Sequence, residues 1–352
     1  MTAPPILVLA WLVLAHLVAD FVLQSGGIAR AKASHGSRAA GGLLAHALIV
    51  AACLVPVGLA WGARGWTFVA VVGLSHAVID RTKVVVTRRA AAAAIREAHD
   101  RHEHPQPPDH LGRAWTPLPA ALFLADQAAH LIVLGWAWAV LLATAPLDAG
   151  WTTAVDGWLD GWDRGAVHAI VGACVVLTSL AIVNIRAASL FVGILVRPVE
   201  AGADGEHRWG GRVAPAAEPP RDAAATRAAS TARRWSIRLG PLDARVTAEA
   251  DPAPAPSPAA AGSSGSVAAP LGASARVGST IGILERILIV VFVLTGTDVA
   301  IGFVVGAKTL ARFKLLDDRA FAEYYLLGTL ASVAVAIISA LVGRAALAAL
   351  VH

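Results

Sequence analysis

The sequence predicts an all-α protein, a polytopic integral membrane helical bundle, and three observations lead to that fold class. The chain has 352 residues, of which 57% are hydrophobic and only 15% are charged, a composition far more apolar than that of soluble domains. Several apolar runs reach about 20 residues, which is enough to cross about 30 Å of hydrocarbon. The two cysteines, Cys53 and Cys174, lie within such runs, so neither a disulfide framework nor a CxxC metal site is expected.

Apolar runs bounded by charge, Gly or Pro predict about five spans in the first part of the chain, at residues 5–24, 41–61, 65–80, 118–143 and 166–196. After the third span, residues 88–105 are predicted to form a helical arm. Residues 197–280 are rich in Pro, Ala, Gly and Ser, which is typical of a disordered linker. Within that linker, the segment 235–246 interrupts this composition and is suited to a hairpin or to docking elsewhere, but it is too small to be a domain.

Apolar runs return at 281–313 and 324–350, and the first of them is interrupted at residues 295–298. The interruption contains Gly, which breaks a helix, and Asp298, which is a good N-cap for a second one. We therefore predict a broken hairpin followed by a last span. The predicted domains are an N-terminal membrane bundle (1–196), the disordered cytoplasmic linker (197–280) and a C-terminal membrane segment (281–352).

Charges in the loops predict the orientation of the bundle. Three basic residues lie between the first two spans and seven between the third and fourth, whereas the loop after the fourth span holds four Asp and one Arg. Basic loops stay in the cytoplasm, so the net charge of +5 reports topology and not a nucleic-acid partner. A single crossing by 281–306 would place the basic loop that follows it outside, which is a second reason to predict the hairpin.

Ionisable side chains recur inside the predicted spans, although each Asp costs about 2.5–3.5 kcal/mol to insert. Seven of them are His or Asp residues on four spans: His16, Asp20, His46, His76, Asp80, Asp126 and His130. Three pairs are four residues apart, which places each pair on one helical face. At 1.5 Å per residue, all seven fall in the cytoplasmic half of the membrane. They are predicted to form one site, with Gln24, Lys83 and Gln127 orienting its ligands.

Four imidazoles and three carboxylates in one layer are ligands for a divalent metal, with zinc the first candidate and manganese or iron the others. The leading hypothesis is a metal-binding membrane protein. If it is an enzyme, it is a metal-dependent hydrolase of a lipid or peptide substrate, and Asp20, Asp80 and Asp126 are the catalytic carboxylates that deprotonate a metal-bound water. Two alternatives stay open: a cation or proton transporter, which needs a polar path to the outer face, and a structural or regulatory scaffold stabilised by His–Asp pairs.

The segments HLVADFVLQ (16–24), HAVIDRTK (76–83) and DQAAH (126–130), together with His46, resemble the bacterial membrane family known as domain of unknown function 3307. The resemblance covers roughly 5–135 and 280–343. It implies a multi-pass protein of the bacterial inner membrane, surrounded by membrane lipids, and it supports the site residues more than any chemistry. The sequence has no Walker A, GxSxG or HExxH motif. Nucleotide chemistry and the hydrolase families that carry these motifs are therefore disfavoured.

Overall fold

The structure, a computed structural model, describes residues 4–102, 113–114, 117–196, 199–200, 234–239, 242–247, 271–317 and 319–351. Contacts divide the chain into one unit formed by Met1–Arg208 with Val277–His352 and another formed by Trp209–Arg276. The described part of the first unit is helical apart from one antiparallel pair of two-residue strands, β1 (Arg113–Ala114) and β2 (Val199–Glu200).

The helices of the described residues are α1 (Pro5–Leu17), α2 (Gly26–Lys32), α3 (Gly36–Cys53), α4 (Val55–His102), α5 (Leu118–Leu141), α6 (Ala149–Trp158), α7 (Arg164–Ile182), α8 (Ala188–Val196), α9 (Leu271–Thr295), α10 (Val299–Ala311) and α11 (Arg319–Val351). A π-helical turn (Val18–Leu23) continues α1, and a second one (Val183–Ala187) joins α7 to α8. A short 3-10 turn (Phe313–Leu315) follows α10.

Within the described residues, six helical stretches are long and apolar enough to cross a membrane: Pro5–Leu23, Gly36–Cys53, Leu118–Leu141, Arg164–Val196, Gly278–Thr295 and Ala322–Leu350. The predicted all-α bundle with transmembrane helices is therefore confirmed. The predicted span at 65–80 is not among the six, although it is helical within α4, because its polar residues His76 and Asp80 lower its hydropathy. That span and the predicted arm form one continuous helix as far as His102; the end of the arm lies outside the described residues.

The predicted second span, 41–61, begins and ends earlier in the structure, at 36–53, and a turn that requires glycine follows it. Helix α3 runs over Gly36–Cys53, and α4 is broken at Gly62, whose φ of 57° lies in the left-handed region that favours glycine. Close approach requires a second glycine, since a Cβ at Gly65 would lie 2.3 Å from the carbonyl oxygen of Val57. This reversal packs the long part of α4 against α3.

Buried apolar side chains join the helices of the first unit. The larger group, which we call the apolar core, connects α1, α3, α4 and α5 and includes Leu12, Phe68 and Ala137, which are fully buried. Helices α7 and α11 approach each other at glycine positions, where a Cβ on Gly172 would lie 2.6 Å from Leu350. Small residues commonly allow transmembrane helices to pack this closely.

The broken hairpin is confirmed at the predicted position. Helix α9 ends at Thr295, Gly296 has a φ of 73°, and α10 begins at Val299. Helix α10 runs back along α9, as indicated by the distance of 2.6 Å between Lys308 Nζ and Glu285 Oε2. Asp298 is the N-cap residue of α10, as predicted, but its side chain makes no capping hydrogen bond, because its own backbone is already helical.

Most of the predicted disordered linker, 197–280, lies outside the described residues. Three described parts of it are ordered, and the first is strand β2 (Val199–Glu200). Strand β3 (Arg234–Leu239) pairs antiparallel with β4 (Leu242–Thr247). Of the two arrangements that the sequence leaves open for 235–246, the structure therefore has the hairpin. Helix α9 begins at Leu271, ten residues before the predicted boundary at 281.

Candidate functional site

All seven predicted site residues come together in the N-terminal bundle. His16 lies on α1, Asp20 on the π-helical turn after it, His46 on α3, His76 and Asp80 on α4, and Asp126 and His130 on α5. Their side chains are at most 9% exposed. We call this set the His/Asp cluster.

The cluster is layered, because three helices carry the same order of residues along their length. On α1 and its continuation the order is Leu12, His16, Asp20, and on α4 it is Val72, His76, Asp80. Helix α5 shows the order in reverse along the chain, with Asp126, His130 and then Leu134. Since four residues rise about 6 Å along a helix, the apolar core, the histidines and the aspartates occupy successive levels.

Three ligand-type atoms form a compact triangle at the centre of the cluster. His46 Nε2 lies 2.9 Å from His76 Nε2 and 3.2 Å from Asp20 Oδ1, and His76 Nε2 lies 3.3 Å from the same oxygen. Each nitrogen carries at most one proton, so hydrogen bonds alone cannot satisfy all three contacts at once. Ligands at about 2.0–2.1 Å from a tetrahedral metal are themselves about 3.3 Å apart, close to the sides of this triangle.

Asp80 borders the triangle and is held by a lysine. Its Oδ2 lies 3.6 Å from His46 Nε2 and 3.7 Å from His76 Nε2. The same oxygen accepts a hydrogen bond from Lys32 Nζ at 2.5 Å, and Lys32 also donates to Gln24 Oε1 at 2.6 Å. Gln24 therefore reaches the cluster through Lys32.

Asp126 has a second lysine as its partner. Lys83 Nζ donates to Asp126 Oδ2 at 2.6 Å, and Gln127 Nε2 donates to the same oxygen at 3.0 Å. Gln127 also accepts a hydrogen bond from His16 Nε2 at 3.3 Å through its Oε1. Lys83 and Gln127 thus both contact Asp126, and their role in orienting metal ligands stays a prediction. We call the side of the cluster that carries Gln24, Lys32 and Lys83 the lysine end.

The remaining histidines stack at the level nearer the apolar core. The ring centroids of His76 and His130 are 4.0 Å apart, and those of His16 and His130 are 5.2 Å apart. A cavity of about 10 Å³, close to the space that one water molecule requires, is lined by these three rings and otherwise by mostly apolar side chains.

A π-helical turn positions Asp20. Residues Val18–Leu23 insert a wider turn at the end of α1, and such turns are found frequently at functional sites. Asp20 lies in this turn and contacts histidines from both α3 and α4. The turn is followed by α2, which folds back onto α3.

Lys32 is the residue that sequence reasoning missed. Its position in a loop between spans predicts a charge that sets orientation, yet it is 7% exposed and bonded to Asp80. It reaches the cluster because α2 packs tightly on α3 at Gly42, where a Cβ would lie 2.6 Å from the backbone nitrogen of Lys32. One signal was present: the chain has four Lys against 25 Arg, and two of those four lysines hold cluster carboxylates.

A second buried polar contact lies in the C-terminal membrane segment. Arg286 is 3% exposed and donates to the backbone oxygen of Asn184 at 2.7 Å and to the hydroxyls of Ser332 and Ser189 at 3.0 and 2.5 Å. The carbonyl of Asn184 belongs to the second π-helical turn. Arg286 therefore ties α9 to the α7–α8 region and to α11.

The comparisons with known proteins concern this part of the chain. The family model described as "Protein of unknown function (DUF3307)" matches residues 8–155. No curated protein and no solved structure matches the chain. The matched residues do not include 280–343, so the resemblance there stays a prediction. The residues that match this family model carry the whole His/Asp cluster, so this part of the chain is similar to the family of domain of unknown function 3307.

Proposed function

We propose that the protein binds a divalent metal ion at the His/Asp cluster, with zinc the first candidate and manganese or iron the others. The observation that carries this proposal is the triangle of His46 Nε2, His76 Nε2 and Asp20 Oδ1, whose sides are 2.9–3.3 Å. A bound cation accepts all three lone pairs at once. Three protein ligands also leave a coordination position open for water or substrate.

The activity that such a site supports best is metal-dependent hydrolysis of a lipid or peptide bond. A metal ion lowers the pKa of its bound water. Asp80 lies beside the triangle, and Asp126 offers a ligand-type atom within 4.8 Å of one on Asp80. A carboxylate in such a place serves as the acceptor of a proton from that water. By the distribution of loop charge, the lysine end faces the cytoplasm of a bacterial inner membrane, so substrate would enter from that side.

The layering argues against a transport function. The apolar core lies directly beyond the histidines on α1, α4 and α5, and its members Leu12 and Phe68 are fully buried. Among the described residues of this bundle, no polar side chain is buried in that core. A cation or proton path across the membrane would need such groups, so a site reached from one end accounts for these contacts better than a channel.

The test is the metal content of the full-length protein purified in detergent. All samples carry His99→Ala, His102→Ala and His104→Ala, which removes the histidines of the arm as adventitious ligands. The test variants are His46→Ala and Asp20→Asn, and the matched control is His168→Ala, an exposed histidine on α7.

We expect at least one equivalent of zinc, manganese or iron in the background protein and in the control, and its loss from both test variants. The proposal is wrong if the protein takes up no metal after incubation with Zn²⁺ and the test variants are only less stable. The cluster would then have a structural role. If metal is bound, lipid and peptide substrates are screened next. Asp80→Asn and Asp126→Asn should then abolish hydrolysis without unfolding the protein.

A further inference from the structure

His130 has the hydrogen-bonding arrangement of a metal ligand that is not part of the triangle. Its Nδ1 lies 2.8 Å from the backbone oxygen of Asp126, and a carbonyl oxygen can only accept, so Nδ1 carries the proton. In the neutral ring the lone pair is then on Nε2. That atom is buried and has no hydrogen-bond partner. Histidine ligands of metals typically donate their other ring N–H to such an acceptor, which fixes the ring.

Asp126 offers a second unsatisfied atom beside it. Its Oδ2 is occupied by Lys83 and Gln127, whereas Oδ1 is buried and unpartnered. Buried polar atoms in folded proteins nearly always have partners, so two orphaned acceptors on adjacent turns of one helix need an explanation. A cation satisfies both, whereas neither can donate to the other.

Asp80 links these two residues to the triangle. Asp80, Asp126 and His130 each offer one ligand atom, and these three atoms lie within 4.8 Å of one another. By the same measure, His46, His76 and Asp80 form another group, and His16, Asp20 and His76 form a third without Asp80. One carboxylate thus belongs to the first two groups, as in sites where two metal ions lie about 3.5–4 Å apart.

We propose that the cluster binds two divalent ions, the second held by His130, Asp126 and Asp80 next to the ion in the triangle. This inference rests on the proposed function, since it adds an ion to the same site. Lys83 is the group that competes with the second ion, because it holds Asp126 and is the more exposed of the two lysines, at 31% against 8%. A two-ion centre would place a water between two Lewis acids, the arrangement suited to hydrolysis.

The experiment titrates the full-length, chelator-treated protein with Zn²⁺ and then with Mn²⁺, again with the arm histidines replaced. The test variant is His130→Phe, which keeps a ring of similar shape but removes both nitrogens. We expect two equivalents of Zn²⁺ in the background protein and in His168→Ala, and one in His130→Phe. Lys83→Met should bind the second ion about tenfold more tightly, and Lys314→Met, at an exposed position, should not.

The outcomes separate this inference from the proposed function. No bound metal overturns both. One equivalent in the background protein, or two equivalents retained in His130→Phe, overturns the second ion and leaves a single-metal site. If His130→Phe does not fold, the decision falls to the background protein loaded with Mn²⁺: two ions within about 4 Å give an exchange-coupled electron paramagnetic resonance spectrum, and an uncoupled spectrum overturns the proposal.

Discussion

Replacing Lys32 by methionine removes the ammonium group that holds Asp80 while keeping a long side chain on α2. Lys32 Nζ and Asp80 Oδ2 are 2.5 Å apart, and both side chains are less than a tenth exposed. Their Coulomb attraction is about 7 kcal/mol at an effective dielectric constant of about 20. Much of it offsets the cost of removing both charges from water.

The loss on breaking the pair is larger than its net contribution, because the remaining carboxylate stays buried without a partner. For buried pairs this loss is about 3–5 kcal/mol, and we expect Lys32→Met to lower the free energy of unfolding by that amount. Methionine is itself easier to bury in a membrane than lysine. The loss therefore comes from Asp80 and not from the new side chain.

Reversible unfolding in detergent measures this difference, with Lys314→Met as the control at an exposed position. Adding Asp80→Asn should recover part of the loss, because the neutral amide no longer leaves a charge unpaired. Zn²⁺ should stabilise Lys32→Met more than the unsubstituted protein, since the ion then faces an uncompensated carboxylate. A loss in Lys32→Met no greater than in Lys314→Met would refute the reasoning.

Three further changes test other contacts. Arg286→Ala should lower the free energy of unfolding by about 3 kcal/mol, since it removes the arginine donor from the buried carbonyl of Asn184. An unchanged melting temperature would contradict that role. Gly343→Ala should cost about 1–3 kcal/mol, because its Cβ would lie 2.7 Å from Leu180; unchanged stability would show that the helices shift freely. Leu12→Ala should cost about 2–5 kcal/mol by opening a cavity while metal content stays constant, and loss of metal would tie the apolar core to the site.

The convergence of the cluster was predictable because it depends on helix geometry alone. A spacing of four residues places His76 and Asp80 on one face whatever else the chain does, and the rise per residue sets their depth. Charges are costly in the hydrocarbon region, so such residues face the interior of the bundle and pair with one another. The all-α fold and the broken hairpin follow from equally local rules.

The parts that were not predictable depend on contacts between helices. Lys32 enters the cluster only because the π-helical turn and Gly42 allow α2 to fold onto α3, and no local pattern near Lys32 reveals that packing. The reversal at Gly62 likewise depends on how closely Gly65 approaches Val57. Hydropathy alone also underestimates how well α4 is suited to the membrane, since partners on other helices offset the cost of burying its ionisable residues.

The order of the layers has an electrical consequence. In a bilayer, the apolar core on one side of the cluster is the insulating part of this bundle, whereas the lysine end is polar. Membrane potential falls mainly across the insulating part, and moving one charge through 100 mV involves about 2.3 kcal/mol. An ion that arrives from the lysine end crosses little of that drop. For the metal ion that we propose, occupancy of the cluster would therefore follow the ion concentration on that side and would not depend on the membrane potential.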